Sequence, residues 1–238
     1  MTFPSIQGTP VLTAQTSGST FTANLPSRIQ SGELVWIGMT VFGNTSITQP
    51  AGWTVPTNMS GLMSGNVGRM NCFWRIAGDS WPAGATTQDF TIGASVEGVA
   101  FAFRIAGTRS STTVPTGGNA NGNNASPDSG AQTPAPGSDN YLWLTMFGAV
   151  GNVLQPTPVY PINYTGIISG KSSTGASSVC TGAAYRQLTA SVENPNGFTN
   201  GLTGAAQWRA YTGVIYPGPE GMVGYGSFNF GNFELGIG

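Results

Sequence analysis

Histidine is absent from the 238 residues, and lysine occurs once, at Lys171. Acidic and basic side chains make up 7% of the chain, 8 basic and 9 acidic, against roughly 25% in ordinary soluble domains. Without histidine, neither a Ser-His-Asp nor a Cys-His relay can be built. A cysteine nucleophile would need some other base, and none stands near Cys72 or Cys180 in sequence. Glycoside hydrolysis needs two carboxylates facing each other across a cleft. The carboxylates here, Asp79 and Asp89 among them, fall in no recognisable motif. Phosphate-cradling and dinucleotide fingerprints are missing too. The chain therefore reads as a non-enzyme, with no catalytic residue and no cofactor.

Other absences narrow the partners. Two cysteines without histidine cannot complete a zinc site. The Asn119–Asp128 stretch offers one acid where calcium wants several oxygen ligands, so no metal site is expected. Cys72 and Cys180 are either buried thiols or a bridge. The buried reading is favoured, because cysteine packs like a small apolar residue. A net charge of −1 gives no electrostatic pull toward nucleic acid or anionic lipid. No segment approaches the roughly 18 apolar residues of a membrane span. The longest apolar run, Leu34 to Phe42, is strand-sized and includes Gly38 and Thr40. Met1-Thr2-Phe3-Pro4 has no basic residue followed by an apolar run, so no secretory leader is expected.

What the chain does contain is 36 glycines, 16 prolines, many Thr, Ser and Asn, and a hydrophobic fraction of 39% with 11% aromatic. That suffices for a core. Gly and Pro interrupt every candidate helix. Short runs of Val, Ile, Thr, Phe, Trp and Tyr between turn residues predict strands. The first set is Val11–Ala14, Thr20–Asn24, Glu33–Phe42, Arg69–Ile76, Asp89–Ile92 and Val99–Ile105. The second is Tyr141–Phe147, Pro158–Asn163, Ser178–Arg186 and Ala205–Ile215.

Thr116–Ser138 has almost no large apolar residue and reads as a long Gly/Asn/Pro-rich surface loop. The parts on either side of it resemble each other. Leu34-Val35-Trp36-Ile37-Gly38-Met39, Gln49-Pro50, Met59 to Gly65, Trp74-Arg75 and Phe103-Arg104 recur in the same order. Their counterparts are Tyr141-Leu142-Trp143-Leu144-Thr145-Met146, Gln155-Pro156, Tyr164 to Gly170, Tyr185-Arg186 and Trp208-Arg209, offset by about 105–111 residues. Half a unit of short strands must bury its apolar face against something, and the other half is the nearest candidate. The expected fold is all-β. It is a jelly-roll-like antiparallel β-sandwich over residues 1–216, built from two related halves (about 11–110 and 139–216) joined by loop 116–138. An extended arm follows at 217–238.

The first half carries a further string. Ser31-Gly32-Glu33-Leu34-Val35 leads to Gln49-Pro50-Ala51-Gly52-Trp53-Thr54. Phe73-Trp74-Arg75-Ile76-Ala77-Gly78-Asp79 and Phe101-Ala102-Phe103-Arg104-Ile105-Ala106-Gly107 follow. This resembles a β-sandwich module of tailed-phage virion structural proteins, with the pattern G-D-L-L-V … P-A-G-W-T … Y-R-x-A … Y-R-G, over roughly Val11 to Tyr216. Glu33 stands where Asp is usual, and Phe103-Arg104-Ile105 where Tyr-Arg-Gly would be. The resemblance implies a virion component: a capsid-decorating, head-fibre or tail-associated subunit whose partners are other virion proteins and copies of itself. The same residues have a physical reading. Pro50-Ala51-Gly52 is a turn that aims Trp53 at one end of the sandwich. Arg75 and Arg104 end apolar strands, where a guanidinium can leave the core and bond carbonyls or a carboxylate.

Aromatic residues are the remaining functional material. Trp36, Trp74, Trp143 and Trp208 lie in strand patterns and read as core. Trp53 and Trp81 sit beside turns and are candidate stacking platforms for a host surface glycan, the alternative reading being a receptor-binding adhesin domain. Beyond Pro217 small residues alternate with Met222, Tyr225, Phe228, Phe230, Phe233 and Leu235. These are the candidate subunit contacts, through packing on a neighbour or strand addition to its sheet edge.

Overall fold

The computed structural model describes residues 2–78, 85–109, 116–151, 159–199 and 201–218. Among these, the first half forms β1 (Ser5–Ile6), β2 (Val11–Gln15), β3 (Thr20–Asn24), β4 (Leu34–Phe42), β5 (Ser60–Leu62), β6 (Gly68–Ile76), β7 (Thr87–Thr91) and β8 (Gly98–Ala106). The second forms β9 (Thr116–Asn124), β10 (Asp139–Val150), β11 (Thr165–Lys171), β12 (Val179–Ala190) and β13 (Ala206–Ile215). A 3-10 turn, Ser64–Asn66, lies between β5 and β6. The fold is an all-β antiparallel sandwich, as the spacing of strand and turn signals predicts.

Each half builds one large sheet, and the two large sheets share a strand order. The first runs β8-β4-β6-β5, with β1 and β2 both pairing along the outer edge of β8. The second runs β13-β10-β12-β11, with β9 beyond β13. β8 thus corresponds to β13, β4 to β10, β6 to β12 and β5 to β11, which is the order of the repeated motifs. The equivalence is one of topology more than of side chains. Trp74 and Tyr185 both face the space between the sheets, but Trp36 faces it and Trp143 points away from it. Side chains alternate along a strand, so a one-residue slip between the halves sends matched residues to opposite faces.

Three apolar layers follow from this. Leu34, Trp36, Met70, Cys72, Phe101 and Phe103 meet Leu142, Leu144, Met146, Ala183, Tyr211 and Ile215 between the sheets. Behind the first sheet, Val35, Ile37, Met39 and Val41 pack on Phe21 of β3 and Phe90 of β7, which pair as a separate two-stranded ribbon. β4 is therefore buried on both faces and reads as a continuous apolar run, whereas β3 alternates buried with exposed. Behind the second sheet, Phe147, Trp208 and Ala210 are covered by Phe198 and Leu202, which lie in irregular chain.

Two expectations fail. Thr116–Ser138 is not loop throughout: Thr116–Asn124 is β9, paired with β13 over nine residues without interruption. Its neighbours, not its own propensity, decide this. Only residues 125–138 are irregular, and they lie over the second sheet, where the Phe198 N–H donates to Pro127 O at 2.8 Å and Ser129 Oγ stands 3.0 Å from Thr145 Oγ1. The strand expected at Pro158–Asn163 is displaced downstream to Thr165–Lys171. Residues 159–164 instead turn, with the Tyr164 N–H donating to Pro161 O at 3.1 Å, because proline cannot serve a ladder.

Between the sheets Thr40 sits against Gly148. A Cβ at Gly148 would fall 2.2 Å from Thr40 Oγ1, so the two backbones approach here only because residue 148 has no side chain. The Thr40 hydroxyl is buried and has no hydrogen-bond partner among the described residues. An unpaired buried hydroxyl costs about 1–3 kcal/mol. Thr40→Val keeps the shape and removes that cost. Urea unfolding should show the variant more stable by about 1 kcal/mol; an unchanged or lower stability would mean that the hydroxyl is satisfied in solution.

Candidate interaction surfaces

The scarce charges are largely spent inside the molecule. Arg104, on β8, places Nε 3.0 Å from Glu33 Oε2 and donates through Nη1 to Ser27 O at 2.7 Å and to Arg28 O. Glu33 Oε2 also accepts the Gln30 N–H at 2.8 Å. This is the strand-end role that the position of Arg104 suggests. Arg186, on β12, donates through Nη2 to Glu193 Oε2 and lies 5.2 Å from the Tyr164 ring centre. Tyr164 Oη donates to the other oxygen of Glu193 at 3.1 Å. Burial and then the Glu193 charge push the ionisation of that phenol well up, so it stays a donor. Arg109 bonds Pro217 O at 3.1 Å, and Arg69 bonds Thr45 O at 2.6 Å. Arg209 reaches from β13 across to Leu62 O of the first sheet at 3.3 Å and holds Asn119 Oδ1 at 2.8 Å. Each guanidinium ties an irregular segment or a second sheet to a strand.

The thiols offer no reactivity. Both are free and buried. Cys72 lies between the sheets with Sγ 3.4 Å from Met146 Sδ, and Cys180 lies behind the second sheet. Burial raises the Cys72 pKa well above the ordinary thiol value and pushes Cys180 up to about 12, so neither supplies a thiolate near neutrality. Among the described residues no three His, Cys, Asp or Glu side chains gather where a metal could sit. Nor is any helix among them long and apolar enough to cross a membrane.

The tryptophans divide. Trp36, Trp74, Trp143 and Trp208 are core, as their strand positions predict. Trp53 is a correction: it is 2% exposed, packs 6.1 Å from Phe90 and donates its indole N–H to Gln88 Oε1 at 2.9 Å. The Pro50-Ala51-Gly52 turn aims it inward under the β3–β7 ribbon, so its ring face is closed to a sugar. Trp81 and the arm residues Met222, Tyr225, Phe228, Phe230, Phe233 and Leu235 lie outside the described residues.

What remains outside is mostly neutral. Val159, Ile162 and Val192 are the exposed large apolar side chains among the described residues. The sheet edges differ sharply. β5 is three residues long. The edge along β8 is broken between Ile6 and Val11, where Gly8 has a φ of +67° and Pro10 follows. β11 carries Lys171 and a register break between Thr165 and Ile168. β9 has nine residues, no charge, no proline and no bulge. Its Asn119, Asn121 and Asn123 are exposed on one face, while Gly118, Ala120 and Gly122 occupy the other. Its composition alone reads as loop. The usable signal is the alternation of residue size from Gly118 to Asn123, which carries no hydrophobic contrast. No family model, curated protein or solved structure matches the chain.

Proposed function

We propose that the chain is a structural subunit of a phage virion, a capsid-decorating, head-fibre or tail-associated protein that works through contacts with other virion proteins and with copies of itself. The observation that carries this reading is the disposition of charge. A chain with 8 basic residues and no histidine spends at least five of its arginines in fastening its own segments. It keeps a nearly neutral exterior, with no gathering of acid–base groups among the described residues. Such a surface offers little colloidal repulsion and favours association. The Gly/aromatic segment from Gly221 onward supplies apolar anchors on a backbone of low helical and strand propensity, which suits binding to a neighbour's surface. The motif string around Glu33, Trp53, Arg75 and Arg104 adds the resemblance to virion sandwich modules.

Ending the chain at Gly218 tests this reading. It keeps the Gly218 N–H bond to Gly107 O at 2.7 Å and the Thr108–Pro217 bridge, so the unfolding transition should stay within about 0.5 kcal/mol of the full chain. Incorporation into particles, read by mass spectrometry of purified virions, should fall to background. Normal incorporation of the shortened chain would remove the arm from the assembly mechanism.

A further inference from the structure

β9 closes the second sheet on the side away from β13. Thr57 bridges Thr116 in parallel and blocks the first residue of this edge. From Gly118 to Asn124 the edge has no further backbone partner among the described residues. Proteins guard exposed edges with charge, proline, bulges or brevity, because a bare edge recruits another strand. The other three edges of the two large sheets carry such a guard; this one carries none.

Five of the residues left open read the same in both directions. Gly118-Asn119-Ala120-Asn121-Gly122 is a palindrome centred on Ala120. In an antiparallel pair related by a two-fold axis, a residue before the centre faces its mirror position after the centre on the other strand, so the contact is self-complementary. Centred on Ala120, Asn119 would face Asn121 of the second copy, and Gly118 would face Gly122. Each amide carries donors and an acceptor, so both Asn–Asn pairs are satisfied with no charge to repel.

Packing within one copy accounts for the glycines. A Cβ at Gly118 would fall 2.2 Å from Ala131 O, and one at Gly122 would fall 2.5 Å from the Trp208 ring. It does not account for all the asparagines. Asn119 holds Arg209, but the side chains of Asn121 and Asn123 have no partner among the described residues.

We propose that two copies of the chain pair through their β9 strands, antiparallel and centred on Ala120, to form one continuous ten-stranded sheet across a two-fold axis. This deepens the reading of the chain as an assembling subunit by naming the edge where copies meet. Five residues per strand bury far less than the roughly 1,600 Å² of a standard interface. The pair is therefore weak in dilute solution and strengthened where subunits are concentrated.

Cross-linking tests the register. Ala120→Cys places one thiol beside its own copy on the axis, within the Cα separation that a disulfide tolerates. Both native thiols are buried and silent. Under mild oxidation Ala120→Cys should form a covalent dimer at least tenfold faster than Thr133→Cys, an exposed loop position that reports random collision. Should the substitution disturb folding, hydrogen exchange on the unaltered protein gives a second reading. The amides of Gly118 to Gly122 should exchange more slowly as concentration rises, while those of β5 should not change.

Equal cross-linking rates together with concentration-independent exchange overturn the proposal. The experiment separates this failure from that of the virion reading. A chain ended at Gly218 that loses incorporation but keeps the β9 cross-link leaves the edge intact. A chain that incorporates without any β9 pairing sinks the edge alone.

Discussion

Glu193→Ala should cost the protein about 3 kcal/mol of stability. Glu193 lies in irregular chain after β12, where its backbone exchanges two hydrogen bonds with Gln132, at 2.8 and 3.0 Å. Its carboxylate accepts from Arg186 and from Tyr164, and the pair's side chains are only 19% and 8% exposed. Removing the acid strands the Arg186 guanidinium in a partly desolvated site and deprives the buried Tyr164 hydroxyl of its acceptor. Breaking one partner of a buried pair typically costs about 3–5 kcal/mol, and the residual exposure of Arg186 argues for the lower end. For a chain of this length the midpoint should fall by roughly 6–12 °C. Glu193→Gln keeps an acceptor for Tyr164 but leaves Arg186 unneutralised, so it should lie between alanine and the parent. A loss under 0.5 kcal/mol for alanine would show that water reaches Arg186 freely and that the covering segment is held by its apolar residues alone.

The same economy explains how a chain so poor in charge holds long irregular segments. Residues 125–138, 191–199 and 201–204 make a cover with no regular strand of their own, yet they bury Phe198 and Leu202 against the second sheet. Phe147 and Phe198 meet edge to face at 4.8 Å, a geometry worth about 0.5–1.5 kcal/mol beyond burial. Arg186–Glu193 pins one part of the cover, and the Ser129 hydroxyl, hydrogen-bonded to Thr145 and Thr212, pins the other. On the first sheet the corresponding fastening is Arg104, which holds Glu33 and the carbonyls of Ser27 and Arg28.

Strand existence was legible where a continuous apolar run had to be buried, and not at β11, where, among its described side chains, Ile168 alone packs on the core between the sheets. Val11–Ala14, Thr20–Asn24, Glu33–Phe42, Arg69–Ile76, Val99–Ile105 and Ala205–Ile215 agree with the structure within a residue at each end, and β12 agrees at its centre. The duplication was legible as order, because equivalent strands need equivalent turns and apolar runs. Its faces were not, since parity along a strand depends on single-residue slips that motif matching does not resolve. β9 was illegible for a different reason. Its covered face has no room for side chains, so its residues are Gly118, Ala120 and Gly122. Its open face makes polar contacts, so its residues are asparagines. Both choices look like loop composition, although the neighbouring strand fixes them as sheet.

Trp53→Ala should lower stability by about 3–5 kcal/mol, the usual cost of removing a large aromatic from a core, and should leave host-cell adsorption of the folded protein at the parent's level. The indole fills the space under the β3–β7 ribbon against Phe90, which in turn meets Phe73 at 4.8 Å in the same cluster. Its N–H bonds Gln88, the residue on β7 opposite Ala23 in that ribbon. Truncation would open a cavity beneath the ribbon and orphan the Gln88 carbonyl, so the ribbon should loosen first and show faster amide exchange at Phe21 and Phe90 than at Trp36 or Leu144. Denaturant unfolding measures the stability, and host-cell adsorption of the folded fraction measures recognition. A variant that unfolds like the parent but no longer adsorbs would place Trp53 at a binding surface and revive the adhesin reading for that residue. A variant that loses stability alone leaves Trp81 as the one stacking candidate of the pair and gives the turn at Pro50-Ala51-Gly52 a purely architectural purpose.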